Sequence, residues 1–259
     1  MSEPRRKGAL RRADIPPAIR AQLNAGTLET ATLAEFLVLD FAALLTAAIP
    51  DLPSATVRRV REAHQLGVTK RMELVGSVLH DHLGFDDWER IAAHPSDTVR
   101  GWACYLIGRA PDTKLKDRLT QIRPLADDPH FGVREWAWIA IRPQLAEQLP
   151  QTVKLLTPWT RAKSAFVRRF AVESVRPRGV WCSHIDALKT EPEQALPLLE
   201  PLKADPEKYV QDSVANWLND ASKSQPGWVR SICERWLAES ATPATVRICR
   251  RAMRTIGNE

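Results

Sequence analysis

Apolar residues recur along this chain at helical spacing. Period-two alternation is hard to find, glycine is scarce, and prolines stand between the candidate helices, so the pattern predicts an all-α fold. One segment repeats. VRGWACYLIG from Val99, VREWAWIAIR from Val133, VRRFAVESVR from Val167 and VQDSVANWLN from Val210 align without gaps, and a weaker fifth copy begins at Val246. The four starts lie 34, 34 and 43 residues apart, and three copies follow short polar turns, HPSD, DDPH and ADPE. Helix pairs repeating every 34 to 47 residues or so mark helical solenoids. The expected architecture is a HEAT-like solenoid of antiparallel helix pairs, stacked into a right-handed curve.

Register separates the faces of the repeated helix. Counting each Val as zero, positions 0, 3, 4, 7 and 8 share one face. They read Val99, Trp102, Ala103, Leu106, Ile107; Val133, Trp136, Ala137, Ala140, Ile141; Val167, Phe170, Ala171, Ser174, Val175; and Val210, Ser213, Val214, Trp217, Leu218. Two serines break an otherwise apolar set, which predicts a core face with Trp102, Trp136 and Trp217 buried at equivalent places. Positions 2, 5, 6 and 9 are expected to face outward: Gly101, Cys104, Tyr105, Gly108; Glu135, Trp138, Ile139, Arg142; Arg169, Val172, Glu173, Arg176; Asp212, Ala215, Asn216, Asn219. An outward Trp138 among charges suits a binding surface, and its alternative is a place under a neighbouring helix.

Position 1 forms a column, Arg100, Arg134 and Arg168, then Gln211. Asp97 and Asp128 stand in the turns before the first two helices, so pairing between repeats explains this column without a ligand. The phosphate candidates lie instead on the outward face and beyond the helix ends: Arg142, Arg169, Arg176, Arg178 and Lys223. Basic groups tracking a backbone, with an aromatic wedge, suit distorted or single-stranded nucleic acid; a basic face also suits an acidic protein tail.

Composition adds a modest lean. The net charge of +6 favours a polyanionic partner, and 44% hydrophobic against 26% charged residues is ordinary for a soluble globular protein. Arg5, Arg6, Lys7, Arg11 and Arg12 suggest that residues 1–29 form a basic, partly disordered arm before a helical body over 30–259. The four cysteines show neither CxxC nor zinc-ligand spacing and read as buried thiols in a reducing cytoplasm. The run TLAEFLVLDFAALLTAAIP (32–50) is the most apolar. Glu35 and Asp40 interrupt it, so a buried helix fits better than a membrane span. A cytoplasmic protein is expected.

Two longer runs carry a family resemblance. VRRFAVESVRPRGVW (167–181) and LEPLKADPEKYVQDSVANWLNDASKSQP (199–226) resemble the HEAT-like-repeat DNA alkylation repair proteins, nearer the AlkC branch than the AlkD branch. SVANWLND is the most specific part, and the resemblance covers roughly residues 30 to 250. It implies a solenoid cradling double-stranded, damaged or distorted DNA on its concave face, as a monomer that is nucleoid-associated when bound. It also implies excision of purines alkylated at N3 or N7, with no cofactor or metal. Glu173 falls on a motif glutamate of the family, with Arg176, Pro177, Arg178 and Trp181 around it. Ser213, Ala215, Asn216, Asn219, Asp220 and Lys223 fall on a segment whose polar groups approach the DNA backbone.

One departure stands out. WIAIRP places Trp138 where the AlkC-like motif one repeat earlier carries another glutamate, and Glu135 lies one turn before it. The resemblance therefore makes Glu173 the catalytic candidate with Glu135 as its assistant, and Trp138 and Trp181 aromatic contacts to the lesion. Arg142, Arg169, Arg176, Arg178, Asn216, Asn219 and Lys223 become DNA contacts. For Glu173 an ion pair with Arg169 or Arg176, three or four residues away, is the purely structural alternative. For the whole protein the alternatives are a non-catalytic binder of distorted or branched DNA and a protein-interaction solenoid.

Overall fold

A computed structural model describes residues 6–85 and 87–257. Among them there is no strand, and the fold is all-α. The longer helices, in chain order, are α1 (Pro17–Asn24), α2 (Phe41–Ala48), α3 (Ser54–Glu62), α4 (Val68–Leu83), α5 (Asp97–Arg109), α6 (Leu115–Ala126), α7 (Phe131–Glu147), α8 (Leu149–Leu156), α9 (Ala165–Glu173), α10 (Lys208–Ser222), α11 (Pro226–Glu239) and α12 (Pro243–Ala252). The chain forms two compact units. One takes the described residues up to Thr113 with Pro129–Ala140; the other takes Lys114–Asp128 and the chain from Ile141 onward. No helix among the described residues is long and apolar enough to cross a membrane.

The repeated helices are α5, α7, α9 and α10, and their apolar register is the core. Every residue at positions 0, 3, 4, 7 and 8 is buried except Ala140, which is half-buried; Trp102 and Trp217 are completely sealed. The opposite face departs from expectation, because none of its residues is exposed. A second face with no exposed residue meets other parts of the chain instead of water. In the first unit, a Cβ on Gly108 would lie 2.6 Å from the backbone oxygen of Ala140, and one on Gly101 would lie 2.7 Å from the Trp136 ring. Glycine there lets α5 and α7 approach closely. Trp138 is 4% exposed, so its expected outward position is corrected to a buried one.

The position-1 column holds the turns before its helices. Arg100 donates to the carbonyls of His94 and Pro95, Arg134 to that of Pro129, and Arg168 to those of Ala162 and Lys163. Gln211 donates from Nε2 to the Asp205 carbonyl, so the fourth copy makes the same connection without a charge. Each side chain reaches back five or six residues and satisfies carbonyls that the turn leaves unpaired. The pairing between repeats is seen at Arg168, which forks onto Asp205 at 2.6 and 3.0 Å. Asp97 instead accepts from the backbone N–H and hydroxyl of Thr30, both at 2.8 Å, and Arg100 pairs with Glu29.

The apolar run over 32–50 is two helices, Leu33–Phe36 and α2. Asp40 breaks it, because its carboxylate accepts from the N–H groups of Ala42 and Ala43 and caps α2. Glu35 is 1% exposed and pairs with Arg6 at 2.6 and 2.7 Å. Residues 1–5 of the segment read as a basic arm lie outside those described. From Arg6 onward that segment includes α1, whose Leu23 is buried.

Candidate functional site

Glu173 is the last residue of α9, where the helix dipole disfavours a carboxylate. It is also 4% exposed, which disfavours charge further. Both costs are offset by its partners. Arg176 Nη1 donates to Oε1 at 2.7 Å, Ser213 Oγ donates to Oε2 at 2.6 Å from α10, and Arg169 Nη2 stands 3.7 Å from Oε2. Burial pushes the carboxyl upward, but the fields of Arg169 and Arg176 and the two hydrogen bonds outweigh it and hold the group below the usual carboxylate range. Glu173 is an anion at neutral pH.

Arg176 connects this carboxylate to a second one. Its Nε donates to Asp220 Oδ2 at 2.9 Å and Nη2 lies 2.7 Å from the same oxygen, while Lys223 Nζ approaches Oδ1 at 3.4 Å. Burial pulls the Arg176 guanidinium down, and Glu173 and Asp220 together raise it above its ordinary value. The result is a chain of alternating charge across α9 and α10. In the sequence Asp220 stands only as a residue matching the family segment. Its usable signal is its place one turn beyond Asn216, on the same side of α10.

A loop follows α9 and is built around Arg142. That guanidinium is 2% exposed and donates to the carbonyls of Ser174, Arg176 and Ser183, the first two at the loop's start and the third near its end. Its expected place on an outward phosphate-binding face is therefore corrected to that of an internal brace. Gly179 is required beneath the loop, because a Cβ there would lie 2.1 Å from Cys182 Sγ. Val180 and Trp181 stand at the tip, 61% and 48% exposed, with Trp181 in the left-handed region at φ 64°. A non-glycine residue held there is strained by about 1 kcal/mol or more, a pattern that clusters at functional sites.

The remaining candidates divide by accessibility. Lys223 is exposed; Arg178 is half-buried and donates to the Asp220 carbonyl and Ser224 Oγ. Arg169 lies over the Tyr209 ring at 4.4 Å, and Asn216 accepts from Arg254 at 3.1 Å. Asn219 is 2% exposed and donates to the Ala252 carbonyl and Thr255 Oγ1, tying α10 to the end of α12, so it too is corrected from surface contact to brace. In the first unit the Trp138 indole N–H donates to Glu135 Oε2 at 3.0 Å. Among the described residues no group of His, Cys, Asp and Glu could hold a metal ion.

The chain is similar to known proteins. Residues 133–255 match the model of a family described as DNA alkylation repair enzyme. The uncharacterized protein YhaZ of Bacillus subtilis is 40% identical over 135 residues, 52% of this chain and 36% of that protein. The Pseudomonas fluorescens alkylpurine DNA glycosylase AlkC, solved bound to DNA containing an abasic site analog, is 27% identical with a TM-score of 0.66, over 83% of this chain and 60% of its own. The structure of smu.31 from Streptococcus mutans shares the fold at 22% identity and a TM-score of 0.59, over 77% and 96%. This chain thus spans less than two thirds of AlkC and about a third of YhaZ.

Proposed function

We propose that this chain, whose residues 133–255 match the DNA alkylation repair enzyme family, binds double-stranded DNA and excises purines alkylated at N3 or N7. The observation that carries this reading is Glu173, an ionised carboxylate maintained at a helix C-terminus and in a buried site, both unfavourable places for it. The likeness to AlkC, an alkylpurine DNA glycosylase held on DNA with an abasic site analog, supports the substrate class.

The chemistry needs an anion and little else. A purine alkylated at N3 or N7 is cationic and leaves as a neutral base when its glycosidic bond breaks. The sugar then develops oxocarbenium character, which a carboxylate stabilises until water adds. At about 4 Å and an effective dielectric of about 20 that attraction is worth up to about 4 kcal/mol, roughly a thousandfold in rate. Arg176 and Arg169 neutralise part of the charge in the free protein. DNA phosphates compete for both guanidiniums, and each one that turns to a phosphate leaves more negative charge for the sugar. Arg178, Asn216 and Lys223 hold the backbone in this reading. Trp181 supplies the aromatic surface that an opened helix stacks on. Trp138, buried and bonded to Glu135, orients that carboxylate. Replacing Glu173 with Gln preserves shape and removes charge, so base release should fall by about a hundredfold or more while DNA affinity persists.

A second reading has its own observation. Both Glu173 oxygens are already engaged, and a tryptophan stands where the resembled motif carries its other glutamate. A member that kept the DNA scaffold and lost the excision step would bind abasic or distorted DNA and release no base. Measuring free base beside a gel shift separates the two.

A further inference from the structure

We propose that the first unit carries a separate phosphate-binding site, a hollow of about 320 Å³ lined by Arg61, His64 and Arg71 together with apolar side chains. It lies outside residues 133–255, and its apolar lining includes Val38, Phe41 and Val60. Its volume falls at the lower end of the range for small-ligand sites.

The cations there are poorly satisfied. The Arg71 guanidinium lies 3.9 Å from the centre of the Phe41 ring and makes one hydrogen bond, from Nη2 to the Leu39 carbonyl at 3.1 Å. Its Nε is sealed from solvent and has no partner. Burial pulls Arg71 below the usual guanidinium value even though Asp40 opposes the shift. A desolvated cation with one hydrogen bond gains most from an anion that accepts two or more. Also lining the hollow, the exposed Arg61 side chain forms no hydrogen bond or ion pair among the described residues. His64 Nδ1 lies 3.1 Å from the Arg61 carbonyl and donates to it, which leaves Nε2 to engage a ligand.

The charge balance selects the ligand. Among the described residues Asp40 is the one acid lining the hollow, and its Oδ1 is occupied by the N–H groups of Ala42 and Ala43. Two arginines with fork geometry outnumber it, and planar guanidinium groups match the oxygens of phosphate. A phosphate monoester carries about −1.5 to −2 charge at pH 7 and three free oxygens, whereas a backbone diester carries −1 and two, so the paired arginines favour the monoester. The shared chemistry is a phosphate group; its source is either a free or terminal monoester or the DNA backbone.

The experiment uses the full chain with isotope-labelled histidine at pH 7 and constant ionic strength. Three probes are titrated while the His64 imidazole resonances are followed: inorganic phosphate, a deoxynucleoside 5′-monophosphate, and undamaged duplex DNA with hydroxyl termini. We expect a saturable shift that Arg61→Gln weakens about tenfold or more. Arg71→Lys, which keeps the charge and loses the fork, should weaken it as well. Displacement of inorganic phosphate by the monophosphate alone identifies a monoester site, and displacement by the duplex identifies a backbone site. No saturable shift with any probe, or a shift that Arg61→Gln leaves unaltered, overturns the proposal. None of these readouts involves base release, so the result is independent of the excision reading.

Discussion

Arg142 shows how far one side chain's role depends on chain that comes later. It lies at the end of its repeat, beside Pro143, where an arginine usually reaches solvent. Nothing local announces that a loop more than thirty residues onward will close over it and present three carbonyls. Arg142→Met should leave those carbonyls unpaired and cost about 3 kcal/mol or more, read as a lower thermal midpoint. The salt dependence of DNA binding should not change, because Arg142 meets no phosphate. Glu173 is more legible, since its ion pairs with Arg169 and Arg176 follow from helical spacing alone. Ser213, 40 residues away, does not follow from spacing. Glu200 offers a clean titration. Burial pushes it up, but Arg235, Lys203 and the Trp236 indole hold it at about 2. Its folded pKa is lowered, so its stabilising contribution is present above its ordinary value of 4.5 and is lost as pH falls toward about 2. Thermal melts across that window should show a shallower acid loss in Glu200→Gln than in the wild type; identical slopes would mean that Glu200 adds nothing to the acid transition.

At the scale of elements, the apolar register is fully readable because one face of each repeated helix is core whatever lies on the other side. Trp102, Trp136 and Trp217 are buried as their positions require. The opposite face misleads for a physical reason. In an isolated amphipathic helix the second face meets water, whereas here it is covered by other parts of the chain, and position 5 of α7 is a buried tryptophan. Composition holds a hint, since Gly101 and Gly108 are too small for an exposed helical face to need them. Gly108→Ala tests that packing directly. A methyl 2.6 Å from the Ala140 oxygen must force α5 and α7 apart, so it should destabilise by about 2 kcal/mol despite alanine's better helix propensity. An unchanged or higher denaturation midpoint would show that the close approach is not needed. The position-1 column is structural, as its neighbouring acids suggest, although Arg100 finds Glu29 and two carbonyls in place of Asp97. The broken helix at Asp40 is hard to read because the apolar run hides a residue whose side chain caps the next helix.

For the molecule as a whole, a helical protein whose residues 133–255 match the DNA alkylation repair enzyme family uses, in the function proposed, a pinned anion to assist loss of a cationic base. In that reading DNA binding should be strongly salt-dependent, because the proposed contacts are to phosphates. Changing both Arg178 and Lys223 to Ala should reduce the slope of log K against log salt by about two, and an unaltered slope would place the DNA elsewhere. The corrections at Arg142 and Asn219 narrow the set of residues proposed to contact DNA, and among them Trp181 is an exposed aromatic. The most direct measurement is release of free base from duplex DNA carrying N3-methyladenine or N7-methylguanine, for wild type and Glu173→Gln, with binding of the same duplex followed in parallel. The expected result is release by the wild type, about a hundredfold or more slower release by the variant, and comparable binding by both. Tight binding by the wild type with no base released above buffer would contradict it.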